Sequence, residues 1–174
     1  MRQTAFGASD ASGAWSWKRA YDTCEAALVL FLRQYGPALL RKAGSPEAAL
    51  PMLERLGALM PSHTRRSEES RDLQQFSTPL ALGLAAVSAA AITPTDLVLE
   101  PSAGTGLLAA LAGASGSALM LNERAGTRAG LLAQLFPDVT VTRFDAAQID
   151  DYLPAEIAPS VVLMNPPFSA MAHV

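Results

Sequence analysis

The residues of this chain that could do chemistry sit at the ends of short apolar runs. "VVLM" at 161–164 leads straight into Asn165-Pro166-Pro167-Phe168. Two prolines fix φ and donate no hydrogen bonds, so the backbone there is stiff and rich in acceptors. The Asn165 side-chain oxygen and the Pro166 carbonyl can both accept from one primary amine. That holds an NH2 group in place with its lone pair toward an electrophile. Phe168 offers a ring on which a planar base can stack. The plainer alternative is a rigid turn with a buried Phe168.

A second feature is "LVLEPSAGTGLLAALA", which reads as strand, turn and helix. Gly104 and Gly106, with Ala109 three further on, fit a G-x-G-x-x-A pattern. Glycines permit positive φ and close approach of a ligand, and the helix N-terminus behind them favours electronegative groups. "ALMLNER" then places Glu123 just past a strand, 17 residues after Gly106. An acid there can accept from both hydroxyls of a ribose. A third strand, "VTVTRFD", ends in Asp145, placed to accept from an exocyclic adenine amine. Together these strand ends describe a nucleoside-binding crevice. The alternative is that Glu123 and Asp145 cap the helices that follow them. No Lys-Ser/Thr follows the glycines, which excludes a P-loop. A nicotinamide dinucleotide stays open on the glycines and Glu123 alone.

With these motifs in hand, the sequence resembles the S-adenosylmethionine-dependent amino-methyltransferases, above all the N6-adenine DNA methyltransferases with their Asn/Asp-Pro-Pro-aromatic signature. "QQFSTP" (74–79), with Thr78 and Pro79, resembles the segment that touches the methionine moiety. "EPSAGTG" (100–106), with Glu100, Ser102, Gly104 and Gly106, resembles the glycine motif. Glu123 stands where the ribose acid is expected and Asp145 where the adenine contact is. The phrases "EPSAGTGLLA" and "LMNPPFSA" are also similar to methylase-like modules fused ahead of strawberry-notch-type helicases. The resemblance covers roughly residues 74–168. It implies an α/β, Rossmann-like class I methyltransferase fold, of which the first four parallel strands and their flanking helices are present. It further implies S-adenosylmethionine as cofactor and DNA as the substrate of a longer parent protein. Asn165, Pro166, Pro167 and Phe168 would hold the target amine for in-line methyl transfer. The seven-stranded sheet of that family leads to the expectation that this chain is its N-terminal half. It would then act as a fragment, or as a non-catalytic binding module completed by a helicase domain or another sheet-completing partner.

The elements that must position these residues follow from periodicity. Strands are expected at 97–100, 118–121, 139–143 and 161–164, and helices at 79–91, 107–112 and 124–136. Apolar strands that alternate with helices point to a parallel sheet covered on both faces. Ahead of them, Tyr21, Cys24, Leu28, Phe31 and Tyr35 lie three and four apart, one stripe on a helix that Gly36-Pro37 should end or kink. A second helix begins with Ser45 as N-cap and Pro46 and Glu47 in its first turn. Leu50, Leu53, Leu56 and Leu59 or Met60 form its buried face. The expected organisation is a flexible N-terminus at 1–16, a helical hairpin at 17–61, a polar linker at 62–73 and the methyltransferase-like part at 74–174.

Composition narrows the classes. Half of the 174 residues are hydrophobic and 17% are charged, a globular balance. Residues 1–72 carry ten Lys/Arg against eight Asp/Glu, and residues 73–174 three against eight, so a polyanion would meet the N-terminal part more easily. Cys24 is the single cysteine and is read as packing. His63 and His173 are isolated and make no metal site. Without a signal-peptide pattern or an apolar run of membrane-span length, the chain reads as cytoplasmic and soluble.

Overall fold

The computed structural model describes residues 17–60 and 77–166. The expected flexible N-terminus, the polar linker, Pro167 and Phe168 lie outside the described residues.

Helix α1, Trp17–Ala43, runs through Gly36-Pro37 instead of ending there. Proline removes one backbone hydrogen bond, a penalty of about 3 kcal/mol in a helix interior. Past Pro37, Leu40 and Ala43 return to the core, and Gly36 lies close to Ala114. The buried stripe is also rotated from the expected one. Glu25, Leu28, Val29, Leu32 and Gly36 face inward, while Cys24 and Tyr35 are exposed. Cys24 is therefore not a packing residue. An acid at position 25 broke the apolar pattern, so the periodicity settled on the neighbouring face.

Helix α2, Pro46–Ala58, starts as expected. The Ser45 Oγ accepts from the Ala48 N–H at 3.2 Å, and proline stands in the first turn. Leu53 and Ala49 are buried, Leu50, Leu56 and Met60 pack partly, and Leu59 points outward.

The remaining elements are α3 (Leu80–Ala89), β1 (Leu97–Glu100), α4 (Leu107–Gly113), β2 (Ala118–Asn122), α5 (Gly126–Leu135), β3 (Val141–Thr142), a 3-10 turn (Ala146–Gln148), α6 (Ile149–Tyr152) and β4 (Val161–Val162). The strands form one parallel sheet in the order β3-β2-β1-β4. The α/β class and the four strands are as expected, with β3 and β4 shorter. Val98, Leu121 and Leu163 pack into the helical core. Beyond β4 the pairing continues, because the Leu163 N–H donates to the Leu99 carbonyl at 2.9 Å.

The hairpin is not a satellite. α1 packs on α4 and α5, and α2 packs on α3. Residues 107–112 of α4 are buried all round, between the sheet and α1, which explains why "LLAALA" carries no polar face. The chain leaves β1 toward β2 and β3, then returns to place β4 on the other side of β1. In open parallel sheets, ligands bind outside the carboxyl ends of the strands at such a reversal. Here the strands flanking it carry the glycine turn and Asn165. Among the described residues, no helix is long and apolar enough to cross a membrane.

Candidate functional site

The glycine turn joins β1 to α4. Gly104 has φ +59° and Gly106 φ +87°, both left-handed, so glycine is required by conformation at each. A Cβ on Gly104 would meet only the Arg128 Nη1, at 3.6 Å. The turn is tied to the next strand by the Ala103 N–H, which donates to the Asn122 carbonyl at 2.9 Å.

Glu123 does two things at once. One carboxylate oxygen accepts from the Gly104 N–H and the other from the Ala125 N–H, each at 2.8 Å. It thus binds the turn to the start of α5, and the capping alternative accounts for one of its two bonds. Each oxygen keeps a second lone pair. Asp145, at the end of β3, accepts from the Arg124 Nη1 at 2.7 Å and from the Ala147 N–H at 3.1 Å. It caps the 3-10 turn and remains partly open to solvent. Beside it, Phe144 stacks on Tyr152 with centroids 4.6 Å apart.

Across the sheet reversal, the Asn165 Nδ2 donates to the Thr78 Oγ1 at 3.1 Å. Residues 87 apart in sequence therefore meet at the carboxyl edge of β4. With its amide nitrogen engaged, Asn165 is oriented by Thr78, and its oxygen is the acceptor left for another donor. Pro79 sits at the N-cap of α3, Pro166 is exposed and Ser102 is half-buried.

Three residues of the region carry roles that sequence reasoning did not assign. Asn122, fully buried, donates from Nδ2 to the Pro101 and Phe144 carbonyls and accepts at Oδ1 from the Phe144 N–H and the Thr142 hydroxyl. It clamps the carboxyl ends of β1, β2 and β3 together. Glu25 on α1 and Arg128 on α5 are buried beside the glycine turn. A charged residue at helical spacing within an apolar stripe was the available signal for Glu25.

Glu100 is buried and its Oε2 has no partner. Burial pushes its pKa well above the usual 4.5, and the nearby Glu123 charge adds to this, while the Ala109 N–H in the first turn of α4 opposes it. The folded protein therefore holds this acid neutral where the unfolded chain ionises it. Stability from this group is fully present below about pH 4.5 and is lost as pH rises toward the folded pKa. Glu100→Gln should remove that slope. Denaturant unfolding is expected to show the variant more stable than the parent at about pH 7, with the gap closing toward about pH 4. Parallel curves would contradict a neutral Glu100.

The donor set fits a nucleoside-bearing cofactor with an amino-acid end. It offers a glycine turn with space at Gly104, acids at the ends of β2 and β3, and buried polar atoms of Glu100, Glu25 and Arg128 that have no partner around the turn. Among the described residues, no group of His, Cys, Asp or Glu could hold a metal ion.

No family model matches this sequence, and no curated protein matches it. A solved structure does: the crystal structure of a "putative RNA methyltransferase PH1948" from Pyrococcus horikoshii, with a TM-score of 0.52 at 19% identity. The similarity covers 69% of this chain and 60% of that one. At that identity the likeness is one of fold. The parallel sheet, its reversal beside β1 and the flanking helices make this chain Rossmann-like, with the fold of a methyltransferase.

Proposed function

We propose that this chain binds S-adenosylmethionine and belongs to an amino-methyltransferase of the N6-adenine DNA type, which methylates an exocyclic amine. The observation that carries this reading is the Asn165–Thr78 hydrogen bond. It sets the Asn-Pro tip and the segment before α3 on the same edge as the glycine turn. The cofactor, when bound, supplies an electrophilic methyl group on a sulfonium. The protein's own part is positional. Glu123 holds the ribose hydroxyls through its spare lone pairs, and Asp145 faces the adenine. The Asn165 Oδ1 and the Pro166 carbonyl accept the N–H groups of the target amine, which stabilises the positive charge that develops on it during attack. Pro167 and Phe168 continue the amine-holding tip. The acids around the crevice also suit a cationic cofactor.

Two extensions belong to the same proposal. DNA is the substrate, with the target base flipped out of its stack. A helicase domain of the strawberry-notch type, or another sheet-completing partner, lies beside β4, the edge strand on which Val162 and Met164 are half-exposed. A second reading, an RNA amine as target, draws on the name of the structurally similar protein.

Calorimetric titration with S-adenosylmethionine tests the core of this. The parent chain should bind saturably. Glu123→Ala should weaken binding by about a hundredfold, two ribose hydrogen bonds at about 1.4 kcal/mol per factor of ten. Asp145→Ala should weaken it less, because Arg124 already competes for that carboxylate. Binding of a nicotinamide dinucleotide with none of S-adenosylmethionine would overturn the assignment. Methyl transfer to single-stranded DNA or RNA oligonucleotides separates the two substrate readings.

A further inference from the structure

Between the two positive-φ glycines of the turn lies a single side chain, the polar Thr105. Thr105 is buried, and its hydroxyl donates to the Glu25 Oε2 of α1 at 3.0 Å, across 80 residues of sequence. Glu25 is wholly buried and its other oxygen has no hydrogen-bond partner. The Ser77 hydroxyl, next to the Thr78 that orients Asn165, also interacts favourably with the Glu25 carboxylate. Arg128 of α5 lies nearby with its Nη2 4.0 Å from the Asp22 Oδ1, one turn before Glu25, and its Nη1 beneath Gly104.

One stretch of α1 therefore meets three segments at the crevice: the residues before α3, the glycine turn and the first turns of α5. Packing alone does not call for an acid at position 25. Its neighbours on the stripe are Leu28, Val29 and Leu32, and burying a carboxyl is unfavourable unless it is bonded. What an acid provides there is an acceptor for hydroxyls, that of Thr105 in the turn together with those of Ser77 and Tyr21. Glu123 holds the same turn from the opposite side through the Gly104 N–H.

We infer that α1 is a working limb of the ligand crevice and that Glu25 is a positioning residue, which holds the glycine turn in its ligand-ready shape through Thr105. The inference rests on the reading of this crevice as an S-adenosylmethionine site. It adds that α1, the first helix of the N-terminal hairpin, belongs to that site.

The test uses the full chain with Glu25→Ala, Glu25→Gln, Thr105→Val and the Glu25→Ala/Thr105→Val double variant. Two readouts are needed, amide hydrogen exchange across residues 103–106 and titration with S-adenosylmethionine. Glu25→Ala and Thr105→Val should each speed exchange in the turn by about tenfold or more, with amides of α2 unchanged. Each should weaken cofactor binding by about tenfold, and the double variant should be no worse than the worse single, since both remove one coupled pair. Glu25→Gln keeps an oxygen acceptor for Thr105 and should restore both readouts. If Glu25→Ala does not fold, Thr105→Val carries the same comparison. Uniform acceleration across all helices, failure of glutamine to rescue, or fully additive losses would each overturn the positioning role. A parent chain that binds no S-adenosylmethionine would remove the functional reading, and the exchange data would still decide whether Glu25 holds the turn.

Discussion

Gly106→Ala is expected to destabilise the chain by about 2–5 kcal/mol and to abolish ligand binding at the turn. Two independent effects add. The residue has φ +87°, and a left-handed conformation costs an L-residue about 1–2 kcal/mol. A Cβ there would stand 2.4 Å from the Phe136 Cε2 and 2.7 Å from the Leu132 Cδ1. Neither neighbour can easily give way. Phe136 and Leu132 are almost fully buried, and Arg33 of α1 lies 4.6 Å over the Phe136 ring while its Nη1 donates to the Leu135 carbonyl. Overpacking of this kind costs about 1–3 kcal/mol. The total is a large share of the about 5–15 kcal/mol that folds a typical domain. Gly104→Ala is the matched control, with positive φ but no contact closer than 3.6 Å, so it should show only the backbone part. Urea unfolding of the two variants checks this, and equal losses would mean that the wall formed by Phe136 and Leu132 is not what demands glycine at 106. Gly130→Ala, on the exposed side of α5 with nothing within 4 Å, should instead stabilise by about 0.5–1 kcal/mol.

That contrast shows what a sequence can and cannot disclose. The pattern Gly104-x-Gly106 announced a turn with special backbone angles, because positive φ is a local property written in residue type. It did not announce that the two glycines differ. Gly106 is required by Phe136, thirty residues on, and Phe136 is held by Arg33 on a helix that periodicity assigned to a separate hairpin. The strand starts at Leu97, Ala118 and Val161 were legible because continuous apolar runs bounded by turn residues have few other readings. The strand ends were less so, since β3 pairs with β2 only at Val141 and Thr142, and the extent of pairing is set by neighbours. Glu25 was missed for a physical reason as well. Amphipathic patterning treats charge as a mark of solvent, whereas a buried acid bonded to a turn is charge used as structure. For Glu123 and Asp145, residue type and position at the strand end indicated an acceptor. The structure adds what already occupies it: backbone N–H groups on Glu123, and Arg124 with Ala147 on Asp145.

Asn122 carries the second large effect. Replacing it with leucine, similar in size and without polar atoms, should cost about 3–5 kcal/mol. Four bonds disappear together: the Pro101 and Phe144 carbonyls and the Phe144 N–H lose this partner in a largely buried place, and the Thr142 hydroxyl keeps only the Leu121 carbonyl at 3.4 Å. Asn122→Asp separates the donor half of this clamp from the acceptor half. An aspartate keeps the oxygen that accepts both bonds but turns a carboxylate toward two carbonyl oxygens, fully buried and next in the chain to Glu123. Its folded pKa must then lie above the usual value of about 3.9. Stability of this variant should therefore be highest below about pH 4 and fall as pH rises through the folded pKa, since only the protonated acid can donate to one of the carbonyls. Denaturant unfolding at about pH 4 and about pH 7 reads this directly, and a pH-independent loss would mean that a charge on this side chain is not what opposes folding. The consequence for the crevice follows from what the clamp holds. Pro101 opens the glycine turn and Phe144 precedes Asp145, so one side chain sets the spacing between the turn and the acid proposed to face the adenine. Where Asn122→Asp remains folded at acid pH, its affinity for S-adenosylmethionine should still be lower than the parent's at the same pH. The loss then comes from a crevice whose edges have moved apart, with every proposed contact residue still in the chain.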